Sequence, residues 1–155
     1  MLEPKTTAFV FPGQGSQAVG MGKDLAAAFP EARAIFDQAD VLLGFSISSL
    51  MWNGPEAELN DTINTQPALF IHSMAAYAVL KSRHPGLVPV FVAGHSLGEL
   101  SALAAAGALS FEDGLRLVRK RGELMKNAGK QFDPQVVDVF LGIEIKPEYL
   151  SERVE

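Results

Sequence analysis

The sequence predicts an α/β domain with a parallel β-sheet, and three observations support this fold class. Two short apolar runs, residues 7–11 and 88–93, have the length and composition of strands. Helical patterns of hydrophobic residues follow each run, and strands that alternate with helices form parallel sheets covered by those helices. The second run leads through a Gly-x-Ser-x-Gly turn, residues 94–98, into a segment of small residues. A strand, this turn and a helix in that order form a nucleophile elbow.

Turn residues and hydrophobic periodicity place the other elements along the chain. The first apolar run ends at Pro12-Gly13-Gln14-Gly15, which is a turn sequence. The predicted helices follow in chain order: residues 22–29, 30–42, a short helix within 44–60, 65–83, 100–109 and 111–127. We expect Thr65 to cap the fourth of these helices, with Pro67 in its first turn, and Ser110 to cap the last.

Length and composition indicate one soluble globular domain. The chain has 155 residues, of which 48% are hydrophobic and 20% charged, so it is long enough to bury a core and unlike a disordered protein. The net charge of −5 argues against a nucleic-acid-binding surface, which needs a basic face. No secretory signal is visible, and no apolar run approaches the ~18 residues of a membrane span. We therefore expect a cytoplasmic protein with no membrane partner.

The residue types present exclude several kinds of site. The chain has no cysteine, which excludes disulfides, thiolate metal sites and cysteine nucleophiles. Its three histidines, His72, His84 and His95, lack the i, i+4 spacing of a metal-binding pair. We therefore expect no metal site.

Ser96 is the candidate nucleophile. It lies at the centre of the elbow sequence Gly94-His95-Ser96-Leu97-Gly98-Glu99, whose two glycines allow a sharp turn without a Cβ clash. In an elbow the serine is exposed at a helix N-terminus, where free N–H groups and the helix dipole favour a developing negative charge. The alternative is a Gly/Ser turn without a catalytic role.

The loop Gly13-Gln14-Gly15 follows the first predicted strand and therefore lies at the carboxyl edge of the sheet, where α/β proteins bind ligands. Its backbone N–H can join that of Leu97 in an oxyanion hole. Read through Ala18, the loop also fits a loose dinucleotide-binding pattern, but no acidic residue follows a second strand at the required spacing. A tight turn without a ligand is the third interpretation.

Arg121 stands apart within a basic stretch of the last predicted helix. Val118 and Met125 belong to the buried stripe of that helix, and Arg121 lies on the same stripe, three residues after the first and four before the second. A guanidinium that points into an apolar face needs a partner, because an unpaired buried charge is costly. The partner is either a carboxylate of the protein or a carboxylate of a substrate, and spacing alone favours neither.

None of the three histidines is a convincing general base for Ser96. His95 is adjacent to the serine, and consecutive side chains at an elbow diverge. His72 falls in the middle of a predicted helix and His84 in a loop. Elbow enzymes carry their catalytic histidine well after the serine, and no histidine follows Ser96 here. We therefore expect the base to be missing from this chain.

Four motifs together resemble the malonyl-CoA:acyl carrier protein transacylase family, which includes the acyltransferase domains of fatty-acid and polyketide synthases. They are Phe9-Val10-Phe11-Pro12-Gly13-Gln14-Gly15-Ser16-Gln17, Thr65-Gln66-Pro67-Ala68, the elbow Gly94-His95-Ser96-Leu97-Gly98-Glu99, and Arg119-Lys120-Arg121-Gly122. They occur in the family's order, and the combination is far more specific than any one of them.

The resemblance implies a two-step transfer in fatty-acid biosynthesis. Ser96 would accept the malonyl group from coenzyme A as an ester and pass it to the phosphopantetheine thiol of an acyl carrier protein. The backbone N–H groups of Gln14 and Leu97 would form the oxyanion hole, and Arg121 would bind the free malonyl carboxylate. By the same resemblance, Gln66 lies close to the site and His95 lines it without acting as a base. Malonyl-CoA is then a substrate and no cofactor is required.

The resemblance covers only part of the family's length. It assigns residues 1–129 to the N-terminal part of a large α/β-hydrolase-like subdomain, and residues 130–155 to the start of a ferredoxin-like small subdomain. The sequence pattern predicts a strand over 136–145, and residues 136–143 of it resemble the first strand of that small subdomain. The remaining parts of both subdomains and the family's catalytic histidine have no counterpart in this sequence. We therefore expect the chain to be inactive alone, and a second chain that supplies the missing half is a candidate partner.

Two other functions remain open. The first is a non-catalytic module that binds acyl-CoA or a carrier protein. The second is a serine hydrolase of another family, which the missing histidine and the presence of Arg121 disfavour, because a generic esterase does not require that arginine.

Overall fold

The computed structural model describes residues 7–130 and, beyond them, residues 133, 135, 136 and 139. Within residues 7–130 the chain forms two strands and seven helices, listed here in chain order: β1 (Ala8–Phe11), α1 (Lys23–Ala28), α2 (Pro30–Leu43), α3 (Ile47–Asn53), α4 (Glu56–Leu59), α5 (Thr62–Arg83), β2 (Phe91–Gly94), α6 (Leu97–Ala105) and α7 (Phe111–Asn127). None of these helices is both long enough and apolar enough to cross a membrane.

The two strands pair in parallel, which confirms the predicted α/β class with a parallel sheet. Ala8 lies opposite Phe91 and Phe11 lies opposite Gly94. Parallel neighbours cannot be joined by a tight turn and need a long connection. Here helices α1 to α5 form that connection. Side chains alternate along β1: Phe11 is buried in the core, whereas Val10 is 75% exposed on the other face of the sheet.

The core lies among the helices, with α5 at its centre. Helix α5 packs against α7 on one side and α2 on another, and the rings of Phe36 and Phe70 are completely buried there. Phe70 stacks on Phe111, with ring centroids 5.7 Å apart. Gly114 makes the close approach of α7 possible, because a Cβ at this position would lie 2.5 Å from the ring of Phe70.

The N-cap of helix α5 lies four residues earlier than the sequence predicts. Its N-cap is Asp61, whose carboxylate accepts a hydrogen bond from the amide of Ile63 at 3.3 Å. Thr65, the predicted cap, lies inside the helix, where its buried hydroxyl donates to the carbonyl of Leu59 at 2.6 Å. Pro67 therefore lies in the second turn instead of the first. The prediction was wrong because both Asp61 and Thr65 are good caps, and the position of Pro67 favoured the later one.

Other boundaries differ by a few residues. Ser110 caps α7 as predicted, with its hydroxyl accepting from the amide of Asp113 at 3.0 Å. Helix α6 starts at Leu97 instead of residue 100, because the elbow turns directly into the helix. Most of the strand predicted over residues 136–145 lies outside the described residues. Val136 and Val139, the two residues of this segment that the structure describes, have helical backbone, so the strand prediction is wrong at these positions. A helix pairs its own backbone groups, whereas a strand needs a neighbouring strand.

A groove of about 440 Å³ lies between β1 and α5. The whole of β1 and the following Pro12 form one wall, and a face of α5 that includes Ser73 and Tyr77 forms the other. The ring of Phe9, from the β1 wall, packs edge-on against the ring of Tyr77, from the α5 wall, with centroids 6.0 Å apart. The groove is therefore lined mainly by apolar side chains of β1 and α5.

Candidate active site

Ser96 lies at the turn between β2 and α6, where the elbow pattern places it. Its backbone has φ 54° and ψ −110°, and it is the one residue other than glycine with positive φ in the part of the chain that the structure describes. A positive φ is costly for a residue with a Cβ, and such strain persists where the surrounding structure imposes it. Here the turn presents an exposed serine hydroxyl immediately before the first turn of α6.

The two elbow glycines allow close packing, and neither supplies the positive φ of the turn. A Cβ on Gly94 would overlap the backbone of Gly98, and a Cβ on Gly98 would overlap the carbonyl of Phe11. Because both positions lack a side chain, α6 can pack directly against the ends of β1 and β2. The strand ends and the helix N-terminus therefore meet within a few ångströms of Ser96.

The loop after β1 lies against the elbow. Gly13 is buried, and a Cβ there would lie 2.6 Å from Nδ1 of His95. On its other side the loop is held by the side-chain amide of Gln14, whose Nε2 donates to the hydroxyl of Thr62 at 3.3 Å. The backbone N–H of Leu97 belongs to the first turn of α6, where amides have no intrahelical partner. The loop and the helix N-terminus thus both border the turn that contains Ser96.

The geometry of this loop does not fit the dinucleotide-binding interpretation. The fingerprint needs a helix that opens directly from the glycine loop, whereas α1 begins only at Lys23. The acidic residues at suitable distance are engaged elsewhere: Asp37 pairs with Arg33 at 2.8 Å, and Asp40 accepts from the amide of Ser48 at 2.9 Å. Both lie in α2 and serve helix contacts.

Arg121 reaches from α7 to Ser96. Its Nη2 donates to Oγ of Ser96 at 3.0 Å, and its Nη1 donates to Oε1 of Gln66 at 2.8 Å. Burial lowers the pKa of Arg121 from its ordinary value, while the negative charge of Glu99 acts in the opposite direction. The guanidinium stays protonated nonetheless, since arginine does not lose its proton in proteins.

Arg121 forms no ion pair with any carboxylate in the described residues. The first of the two partners considered from the sequence, a structural carboxylate, is thus not found in that part of the chain. Its contacts are neutral acceptors: Gln66, Ser96 and the sulfur of Met125. A half-buried cation with neutral partners beside an exposed hydroxyl is well suited to bind an anionic group of a ligand.

Arg119 has a role that its position in the sequence does not reveal. Its Nη1 donates to the carbonyl of Ile63 and to Oδ1 of Asn64, both at 3.1 Å. The carbonyl of Ile63 lacks its usual helical donor because Pro67, four residues later, has no N–H. Gly122 lets the helices approach, since a Cβ there would lie 3.0 Å from the carbonyl of Thr62. The signal was present as Pro67, but the residue that compensates for it is distant in sequence.

The histidines do not provide a base for Ser96 in the described residues. The ring of His72 lies within α5, where burial lowers its pKa and its Nδ1 has no hydrogen-bond partner in the described structure. His84 is exposed at the C-terminal end of α5. His95 contacts the Gly13 loop, and its side chain makes no hydrogen bond to Ser96. Among the described residues no group of His, Cys, Asp and Glu could hold a metal ion.

The chain is similar to known proteins in both sequence and fold. The family model described as the acyl transferase domain matches residues 8–139. The chain is 54% identical over 121 residues to the malonyl CoA-acyl carrier protein transacylase of Bacillus subtilis (strain 168), which covers 78% of this chain and 38% of that protein. The chain thus spans well under half the length of this relative.

Solved structures show the same similarity. The MCAT of Streptococcus pneumoniae superposes with a TM-score of 0.75 at 45% identity, over 79% of this chain and 39% of that one. A malonyl-transacylase solved in complex with a type II polyketide synthase acyl-carrier protein gives a TM-score of 0.73 at 48% identity, over 77% of this chain and 38% of that one. The chain therefore belongs to the acyl transferase family of the malonyl CoA-acyl carrier protein transacylases.

Proposed function

We propose that this chain carries the nucleophile and the carboxylate anchor for malonyl transfer from coenzyme A to an acyl carrier protein, in cytoplasmic fatty-acid biosynthesis. The observation that supports it most is the 3.0 Å contact between Nη2 of Arg121 and Oγ of Ser96. A malonyl group esterified to Ser96 ends in a free carboxylate close to the ester carbonyl. A guanidinium next to the nucleophile is therefore positioned for this short dicarboxylic acyl group.

The proposed chemistry has two steps. In the first, Oγ of Ser96 attacks the thioester carbonyl carbon of malonyl-CoA; the new C–O bond forms, the C–S bond breaks, and coenzyme A leaves as its thiol with the serine proton. In the second, the phosphopantetheine thiol of the carrier protein attacks the ester carbonyl carbon; the new C–S bond forms, the C–O bond to Ser96 breaks, and the thiol proton returns to Oγ of Ser96. The N–H groups of Gln14 and Leu97 would stabilise the oxyanion in both steps. His95 would line the site beside the Gly13 loop.

The general base is proposed to lie outside these 155 residues, because none of the chain's histidines suits the role. By resemblance, residues 1–129 correspond to part of a large α/β-hydrolase-like subdomain and residues 130–155 to the start of a ferredoxin-like one. A further chain or segment that corresponds to the rest of the relatives would then supply the histidine. Loss of a triad base lowers the rate by about 10⁴- to 10⁶-fold in other serine enzymes.

The anchor role can be tested by calorimetric titration of the 155-residue chain with malonyl-CoA and with acetyl-CoA, which differ by the carboxylate. We expect tighter binding of malonyl-CoA and, in Arg121→Ala, a loss of about 10- to 100-fold for this ligand only, as for a charge-assisted hydrogen bond. Arg116→Ala is the matched control, because Arg116 lies exposed on the same helix. Equal affinity of the wild-type chain for both thioesters would contradict the proposal.

The missing base makes a separate prediction about turnover. Malonyl transfer to a carrier protein by the pure 155-residue chain should be close to the uncatalysed rate, measured by mass spectrometry of the carrier. Rapid transfer that disappears in Ser96→Ala would show that the chain contains its own base. Binding of malonyl-CoA or carrier protein without any acyl-Ser96 would instead favour the non-catalytic binding module.

A further inference from the structure

We propose that Met125 is a positioning residue whose thioether sulfur orients the Gln66–Arg121 pair toward Ser96; this rests on the proposed function of that pair. The sulfur accepts a hydrogen bond from Nε2 of Gln66 at 2.8 Å and a second one from Nη1 of Arg121 at 3.3 Å. Gln66 in turn accepts from the same Nη1 at 2.8 Å. The three side chains therefore form a closed triangle beside the nucleophile.

The sulfur fixes the orientation of the Gln66 amide. Gln66 is completely buried, so its amide cannot turn toward water to satisfy its two ends. A thioether is an acceptor without a donor, hence only the NH₂ end of the amide can face Met125. The carbonyl end is then left for Arg121, which has donors only. An apolar side chain at position 125 would remove this constraint and leave a buried NH₂ group unpaired.

The triangle also fixes the guanidinium. Met125 follows Arg121 by four residues on α7, so the two side chains lie on the same face of the helix, one turn apart. Nη1 is held between Gln66 and Met125, and the opposite nitrogen, Nη2, is then directed at Oγ of Ser96. Since a guanidinium is planar and rigid, two contacts on one nitrogen restrict where the other nitrogen points.

The competing explanation is that Met125 only fills space between α5 and α7. Methionine is a common gap filler, and Met→Leu exchanges in cores are usually well tolerated. Met125→Leu therefore separates the two explanations, because leucine keeps the volume and lacks the acceptor. Met74→Leu is the matched control: Met74 is buried in the same core, on α5, and takes no part in the site.

The test has two measurements on the 155-residue chain. The first records the side-chain NH₂ signals of Gln66 and the Nε–H signal of Arg121 by ¹⁵N NMR without ligand. We expect both to shift and broaden in Met125→Leu and to stay unchanged in Met74→Leu. The second compares the affinities for malonyl-CoA and acetyl-CoA, and the ratio should fall about two- to tenfold in Met125→Leu alone, as for one lost hydrogen bond.

The possible results separate the two proposals. Unchanged Gln66 and Arg121 signals in Met125→Leu would overturn the positioning role, as would an equal loss of affinity for both thioesters, which indicates general damage. Shifted signals with a lower malonyl preference would support it. If the wild-type chain does not prefer malonyl-CoA but the signals still shift, the positioning of Arg121 by Met125 stands and the proposed function falls.

Discussion

The helical side of this molecule and the outer face of its sheet differ sharply in how well they are packed. On the helical side, Phe36, Phe70 and Leu115 are completely buried. On the outer face, Val10 and Phe91 are 75% and 72% exposed, although they are also large and apolar. Parallel sheets are normally covered on both faces. The described helices therefore build one complete layer, and the outer face is where further polypeptide is expected to pack.

The candidate site takes its parts from the well-packed side. Gln66 and Arg121 come from α5 and α7, the pair of helices at the centre of the core, and Ser96 from the turn that leads into α6. A cation anchored in a rigid core keeps its position without a ligand. We therefore expect the proposed carboxylate anchor to be rigid.

The largest expected effect comes from truncating one aromatic ring in the core and, for comparison, one on the outer face of the sheet. Phe70→Ala should cost about 3–5 kcal/mol in the free energy of unfolding, because it leaves a cavity in the centre of the core. Phe91→Ala, on the exposed face, should cost less than about 1 kcal/mol. Urea denaturation followed by circular dichroism measures both. Similar losses in the two variants would mean that the outer face is packed in solution.

A smaller effect is expected from adding a methyl group to the core. Gly114→Ala should destabilise the chain by about 1–3 kcal/mol, because the new Cβ would lie 2.5 Å from the Phe70 ring. Gly86→Ala is the control, since a Cβ there has no neighbour within 4 Å. Thermal unfolding of both variants gives the comparison. A Gly114→Ala chain as stable as the control would show that α7 can move away from α5.

The smallest effect concerns the charge that links α5 to α7 near the site. Hydrogen bonding to Lys126 lowers the pKa of Asp61, and the amide of Ile63 adds to this while burial opposes it. A carboxyl with a lowered folded-state pKa stabilises the fold above its unfolded pKa of about 3.9, and this contribution is lost as the pH falls through the folded value. The contribution is below about 1 kcal/mol for so exposed a pair.

Asp61→Asn keeps a capping side chain and removes the charge. Its free energy of unfolding should lie slightly below that of the wild-type chain at pH 7, and the two should converge as the pH falls through the folded-state pKa of Asp61. Asp24→Asn changes another aspartate, exposed in the first turn of α1, and serves as control. A difference between Asp61→Asn and wild type that does not change with pH would assign the effect to capping geometry.

Much of the fold was predictable because its signals are local. Both strands, the elbow and the cap at Ser110 follow from patterns within about ten residues of chain. The inward stripe of α7 also identified Arg121 as a residue in need of a partner. Thr65 shows the limit of such signals: two capping residues four positions apart compete, and only the completed tertiary structure decides between them.

The contacts that define the site were not predictable from spacing, because each joins residues far apart in the chain. Arg121 and Ser96 are separated by 25 positions, and Arg119 and Ile63 by 56. Met125 was identified only as a member of the apolar stripe, since no sequence pattern distinguishes a sulfur that accepts hydrogen bonds from one that fills space. Such roles depend on how α5 and α7 meet.

The backbone conformation of Ser96 determines which residue type fits this position with least strain. With φ at 54°, a glycine there would fold with less strain than the serine. A chain under selection for stability alone would therefore drift toward glycine at residue 96. Where a serine is retained in such a conformation, part of the folding free energy has been exchanged for a reactive oxygen at a helix N-terminus. The proposed role of Ser96 as a nucleophile would account for a serine at this strained position.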